Sequence, residues 1–136
     1  MTTASPVQLV TILDELTATP GCDNALIFTD DGLLTAASSG LERADAERLA
    51  AALSSEQSLA PAVAKLCIGT EELAWRRTII DFGPHTVLLM TAGANTSIGV
   101  SIQGSMTGDA FALVASVALK QVKRLAEQLG TAGRPT

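Results

Sequence analysis

Two carboxylates stand side by side in the run FTDDGLLTAASSG, Phe28 to Gly40. Asp30 and Asp31 are the residue types of a general acid and a general base. That chemistry needs both groups in a shielded pocket, where different surroundings separate their pKa values. Here the pair is followed by Gly32 and lies between two apolar runs, Asn24–Thr29 and Leu33–Ala37. Asp-Gly between such runs is a hairpin signal, because glycine takes a positive φ and aspartate tolerates the bend. A turn tip is solvated, so the two carboxylates read as shaping a bend and not as catalysing a reaction.

Other reactive groupings fare no better. His85, the single histidine, follows Gly83-Pro84 in a tight turn and would have to be the only imidazole of any triad. The run Gly99-Val100-Ser101-Ile102-Gln103-Gly104 is one residue too long for the hydrolase elbow Gly-x-Ser-x-Gly. It also falls on a predicted strand, where Gly99 marks a bulge or a close backbone approach. A Walker loop needs Gly-Lys, which the sequence lacks, so the chain is not expected to be a nucleoside triphosphatase itself. Two cysteines, Cys22 and Cys67, and one histidine, with no Cys-x-x-Cys, leave a metal site short of ligands. No cofactor is expected, and both cysteines read as buried thiols. Asn95-Thr96-Ser97 matches a glycosylation sequon, which has meaning only in a secreted chain.

With 136 residues, 47% of them hydrophobic, the chain has material for one domain with a real core. Its net charge of −5 lacks the basic footprint that nucleic acid demands. Aromatic residues make up 3% and tyrosine is absent, which removes a stacking platform for single strands. The start, MTTASPVQLV, has neither a basic leader nor a long apolar segment, and no run is long enough to span a bilayer. The expectation is a cytoplasmic protein without direct membrane insertion.

The elements follow from periodicity and punctuation. Pro6–Leu16 reads as a helix with Leu9, Ile12, Leu13 and Leu16 on one face, Ser5 as N-cap and Pro6 in the first position. Thr19-Pro20-Gly21 stops it. Leu41 to about Leu66 is the longest helical stretch, with Ala46, Leu49, Ala50, Leu53, Ala60, Val63, Ala64 and Cys67 as its apolar stripe. Pro61 predicts a kink or restart between Ser54 and Pro61. Trp75–Phe82, Thr86–Ala92 and Thr96–Ile102 read as three strands joined by short turns, which forces antiparallel neighbours. Their continuous apolar runs predict helices on both faces of the sheet. The polar strand Trp75–Phe82, with Arg76 and Arg77, belongs at an edge, guarded by its arginines or covered by a second subunit. Met106–Asp109 opens a final helix with Phe111, Val114, Ala115, Ala118, Val122, Leu125, Ala126 and Leu129 as its stripe. Lys120, Lys123 and Arg124 suit its C-terminal dipole, and Gly130 ends it. The reading is a single domain over 1–136, with a core of about 6–129 and a flexible tail over 130–136.

This order of elements resembles the roadblock/dynein light chain family. Pro20-Gly21 before the first strand, Asp31-Gly32-Leu33-Leu34 in the hairpin and Ser39-Gly40-Leu41 before an alanine-rich helix carry the resemblance. Ile79-Ile80 and Leu88-Leu89-Met90 add to it, and it runs from about Pro6 to Leu129. The sequence is most similar to small actinobacterial members encoded in conservons beside a sensor kinase-like protein and a Ras-like GTPase. The resemblance implies an α/β (α+β) sandwich of roadblock/profilin-like form. Its five-stranded antiparallel sheet has one long helix on one face and the terminal helices on the other. It implies a homodimer in which third strands pair and long helices pack together. It also implies a small Ras-like GTPase as partner, and a sensor kinase-like protein as a further one. Bacterial relatives regulate the GTPase's nucleotide state or location, some by repositioning its own residues.

On that basis Leu53, Trp75, Arg77 and Ile79 are candidate dimer-interface residues. Glu42, Arg43, Glu47 and Arg48 are candidate partner contacts. Arg43, Arg48, Arg76 and Arg77 are also available as an arginine finger, although solvation and edge protection explain them more cheaply. The expected function is a non-enzymatic regulator or adaptor. The alternatives are an assembly scaffold without GTPase contact and a small-ligand sensor, which requires a pocket of convergent polar groups.

Overall fold

The computed structural model describes residues 6–69 and 72–133. In chain order its elements are α1 (Pro6–Thr17), β1 (Cys22–Thr29), β2 (Leu34–Ala37), α2 (Arg43–Ser58), α3 (Ala60–Val63) with a 3-10 turn (Ala64–Leu66), β3 (Arg77–Asp81), β4 (His85–Gly93), β5 (Thr96–Gln103) and α4 (Asp109–Gly133). Ser5 and residues 134–136 lie outside the described residues, as does the side chain of Leu129.

The five strands form one sheet in the order β2-β1-β5-β4-β3. Every pairing is antiparallel. The β1–β2 link is the Asp-Gly turn: Gly32 takes φ +86 and the Thr29 N–H reaches the Leu33 carbonyl at 2.9 Å. Asp30 and Asp31 therefore sit at an exposed bend.

Both sheet faces are covered, as the continuous apolar runs require. Ile27, Leu88, Met90, Ile98, Val100 and Ile102 point towards α1 and α4, where they meet Leu13, Leu16, Val114 and Leu125. Leu26, Phe28 and Leu89 point the other way, under Ala50 and Leu53 of α2. Successive side chains of a strand alternate between faces, so LIF in β1 and LL in β4 feed both layers. Full burial of each such side chain contributes roughly 1.5–3 kcal/mol.

The restart expected between Ser54 and Pro61 is present, and three other sequence expectations need correction. Helix α2 runs unbroken through Ser54 and Ser55 and stops at Ser58; the restart at Ala60 places Pro61 in the first turn of α3, where a missing N–H is harmless. Helix α4 passes Gly130 and continues to Gly133; one glycine costs a helix only about 1 kcal/mol. Lys120, Lys123 and Arg124 are consequently not in its last turn. Cys22 is buried but Cys67 is exposed, because the segment after α2 leaves the sheet.

Candidate functional site

Strand β3, five residues long, is one of the two edges of the sheet. The Phe82 N–H donates to the His85 carbonyl at 2.9 Å, which continues the β3–β4 ladder. Backbone groups alternate sides along a strand, so the N–H and C=O of Arg77, Ile79 and Asp81 point away from β4, to the open edge. Facing residues share a sheet face. Thr78 and Ile80 lie with Leu89 and Val87 on the α2 side, while Arg77 and Ile79 lie with Met90 and Leu88 on the other. Ile79 remains 36% exposed, at the margin of the layer that α4 builds over β4 and β5.

The chain leading into this edge is apolar and uncovered. Leu59, Val63, Leu66, Ile68 and Leu73 are all exposed, with Leu66 at 87%. Leu59, Val63 and Leu73 line an open groove of about 650 Å³ between α3 and the start of β3, together with Cys67, Trp75 and Thr78. Trp75 is half-buried there, its Nε1 donating to Thr78 Oγ1 at 2.7 Å. On α2 itself Leu49, Ala51 and Ala52 are also exposed.

The family model of the Roadblock/LC7 domain matches residues 9–101. The chain belongs to the Roadblock/LC7 family. No curated protein matches it in sequence. Among solved structures, a Roadblock/LC7 domain from Streptomyces avermitilis is 28% identical, with a TM-score of 0.64, over 86% of this chain and 97% of that one. Myxococcus xanthus MglB superposes with a TM-score of 0.78 over 100% of this chain and 98% of its own, at 17% identity. Profilin II of Acanthamoeba castellanii shares the fold more distantly, with a TM-score of 0.52 and 21% identity over 91% of this chain and 98% of that one.

This roadblock domain separates the two sets of candidate residues. Glu42 precedes α2 as its N-cap residue without a side-chain cap bond, and Arg43, Glu47 and Arg48 lie exposed on the first turns. Arg43 Nε stands 3.8 Å from Glu47 Oε1, and Arg48 Nη2 lies 3.0 Å from Asp45 Oδ1. Exposed pairs of this kind contribute about 0.2–1 kcal/mol, so these charges are free to be recruited by a partner. Arg77 and Ile79 lie on β3, on the face away from α2, whereas Trp75 precedes the strand and packs on the α2 side. Leu53 lies apart from Arg77 and Ile79, in the α2-side cluster against which Trp75 packs. It is 9% exposed and its side chain packs with Leu26, Phe28 and Leu89 inside its own chain.

The roadblock sheet uses its remaining polar groups structurally. Asp30 holds α2 down: its carbonyl accepts from Ser54 Oγ at 2.7 Å, and its carboxylate accepts from Gln57 Nε2 at 3.3 Å. Asp23 joins three strands, with His85 Nδ1 at 3.2 Å and Gln103 Nε2 donating at 2.9 Å. Asp81 accepts from the Gly83 N–H at 2.7 Å and the Met106 N–H at 3.1 Å. Among the described residues no group of three or more His, Cys, Asp and Glu could hold a metal ion. No described helix is long and apolar enough to cross a membrane.

Sequence reasoning missed Asp81 and the exposure of residues 59–68. Val63 and Cys67 were expected on a buried stripe; both are exposed. Pro61 was the available signal, since a helix restarting there need not keep its predecessor's face against the sheet.

Proposed function

We propose that this chain is a non-enzymatic, homodimeric regulator or adaptor of a small Ras-like GTPase. The open β3 edge is the observation that carries it. An edge strand with unpaired outward groups and exposed apolar residues beside it is a template for pairing. A second copy satisfies it with the same patch used twice. Trp75, Arg77 and Ile79 belong to that interface, and the outward face of α2 supplies its second layer. Glu42, Arg43, Glu47 and Arg48 then stand on the outer start of α2 as the GTPase contact, giving each dimer two copies of the charged surface. The bacterial family members that this sequence resembles act on such GTPases, in the cytoplasm and without a cofactor. A sensor kinase-like protein is the further partner in this reading.

The test has two stages. Light scattering gives the mass of the wild type and of Ile79→Asp, with circular dichroism as the folding control; a dimer that becomes a folded monomer supports the reading. Single-turnover GTP hydrolysis and pull-down with a purified bacterial Ras-like GTPase follow, for the wild type and for Arg43→Glu/Arg48→Glu. Binding lost in the double variant, with the dimer intact, supports the contact surface. A wild type that is monomeric at micromolar concentration, or that ignores the GTPase, overturns the proposal.

A further inference from the structure

We propose that two copies pair β3 to β3 in one register, with Ile79 beside the two-fold axis and Arg77 facing the partner's Asp81 on both sides of it. This rests on the dimer reading above and specifies which atoms meet.

A continuous antiparallel sheet with its two-fold axis normal to the sheet keeps each face on the same side. Facing residues must then have the same face in their own strands, so the axis passes beside Thr78, Ile79 or Ile80 and not between residues. With the axis at Ile79, each outward-pointing residue meets another: Arg77 meets the partner's Asp81, and Ile79 meets the partner's Ile79. Each such pair closes two backbone hydrogen bonds. An axis at Thr78 or Ile80 leaves one outward residue of each strand without a strand partner.

Charge selects the same register. Arg77 and Asp81 lie on the same face of the sheet, and opposite charges directly across a strand pair are favourable. An axis at Thr78 sets Arg77 against the partner's Ile79, and an axis at Ile80 sets Asp81 against it. The Asp81 carboxylate is already oriented by the Gly83 and Met106 N–H groups. It keeps lone pairs for a guanidinium, so the partner's Arg77 meets an acceptor held in place. The same register carries Arg76 to the partner's Phe82, which is 65% exposed in the single chain, and the arginine stem can cover that ring.

Cysteine scanning in a Cys67→Ser background reads the register directly. Residues in a hydrogen-bonded antiparallel pair have Cα atoms about 5.5 Å apart, within disulfide range. Under mild oxidation Ile79→Cys is expected to form a covalent dimer, while Thr78→Cys and Ile80→Cys remain uncrosslinked. A charge test runs beside it. Arg77→Glu and Asp81→Lys should each dimerise at least ~10-fold more weakly. Their equimolar mixture should recover a heterodimer, since each mixed pair then joins opposite charges. Asp81→Lys also loses two backbone contacts, so its fold is checked by circular dichroism; the cysteine series stands without it. A wild-type dimer that links through position 78 or 80, or through none of the three, overturns the register and leaves the dimer. A monomeric wild type overturns the dimer reading itself.

Discussion

Leu53 of α2 presses on the backbone of Gly99 in β5. A Cβ built on Gly99 would lie 2.7 Å from Leu53 Cδ1 and 3.3 Å from Leu89 Cδ2. The helix comes as close to the sheet as it does because the strand offers no side chain beneath it.

Gly99→Ala should therefore destabilise the fold by about 1–3 kcal/mol through overpacking. Leu53→Ala should cost about 2–5 kcal/mol through the cavity it leaves. In the Leu53→Ala background the Gly99 substitution should cost far less, because the added methyl enters that cavity. Urea unfolding of the four proteins forms the cycle. Additive effects would show that Leu53 and Gly99 do not share this contact.

Gln57 clamps the far end of the same helix. Its Oε1 accepts from Ser97 Oγ at 2.9 Å, and Ser97 is fully buried. Gln57→Ala should cost about 1–3 kcal/mol, because it leaves a buried hydroxyl without its acceptor. Adding Ser97→Ala should recover part of that loss in thermal or urea unfolding. Equal stability of the single and double variants would mean the hydroxyl finds another acceptor.

The two cysteines stand in different surroundings. Burial, and then the charge of Asp23, push the Cys22 thiol up to about 11, whereas Cys67 is exposed. Thiolates are the reacting species. At pH 8 a chromogenic disulfide should label one thiol per native chain quickly and the second only on unfolding. Cys67→Ser should abolish the fast phase.

Glu15 of α1 and Arg124 of α4 are joined at 2.8 Å. The guanidinium, by its hydrogen bond and its charge, holds the Glu15 carboxyl below its ordinary value. The unfolded chain then binds the proton more readily. The pair's contribution is fully present above the ordinary glutamate range and is lost as pH falls through the lowered native pKa. Arg124→Ala should move the Glu15 titration, followed by carboxyl NMR, upwards towards the ordinary value. An unchanged titration would show that the pair does not hold in solution.

Much of this was legible in the residues themselves. Asp30-Asp31-Gly32 announced its turn, the continuous runs in β1, β4 and β5 announced two covered faces, and Arg76 and Arg77 marked the edge strand. Periodicity states which residues share a face, but not whether another element covers that face. For this reason Leu53 and Val63, on one predicted stripe, end in opposite surroundings. Gln57 and Ser97 meet across 40 residues of chain, and nothing local in either position signals the contact. The charged start of α2 was visible as an exposed surface, while Asp81 looked like an ordinary strand-end carboxylate until its neighbours were known.

The sheet order has a consequence for how far assembly can go. With β3 joined to β3, both rims of the doubled sheet are β2, which has only four residues. So short a rim is a poor template for further strands. In the proposed pair the two-fold contact uses the β3 edge of both copies, so the assembly closes at two chains. Such a pair would leave no β3 edge open to seed a polymer.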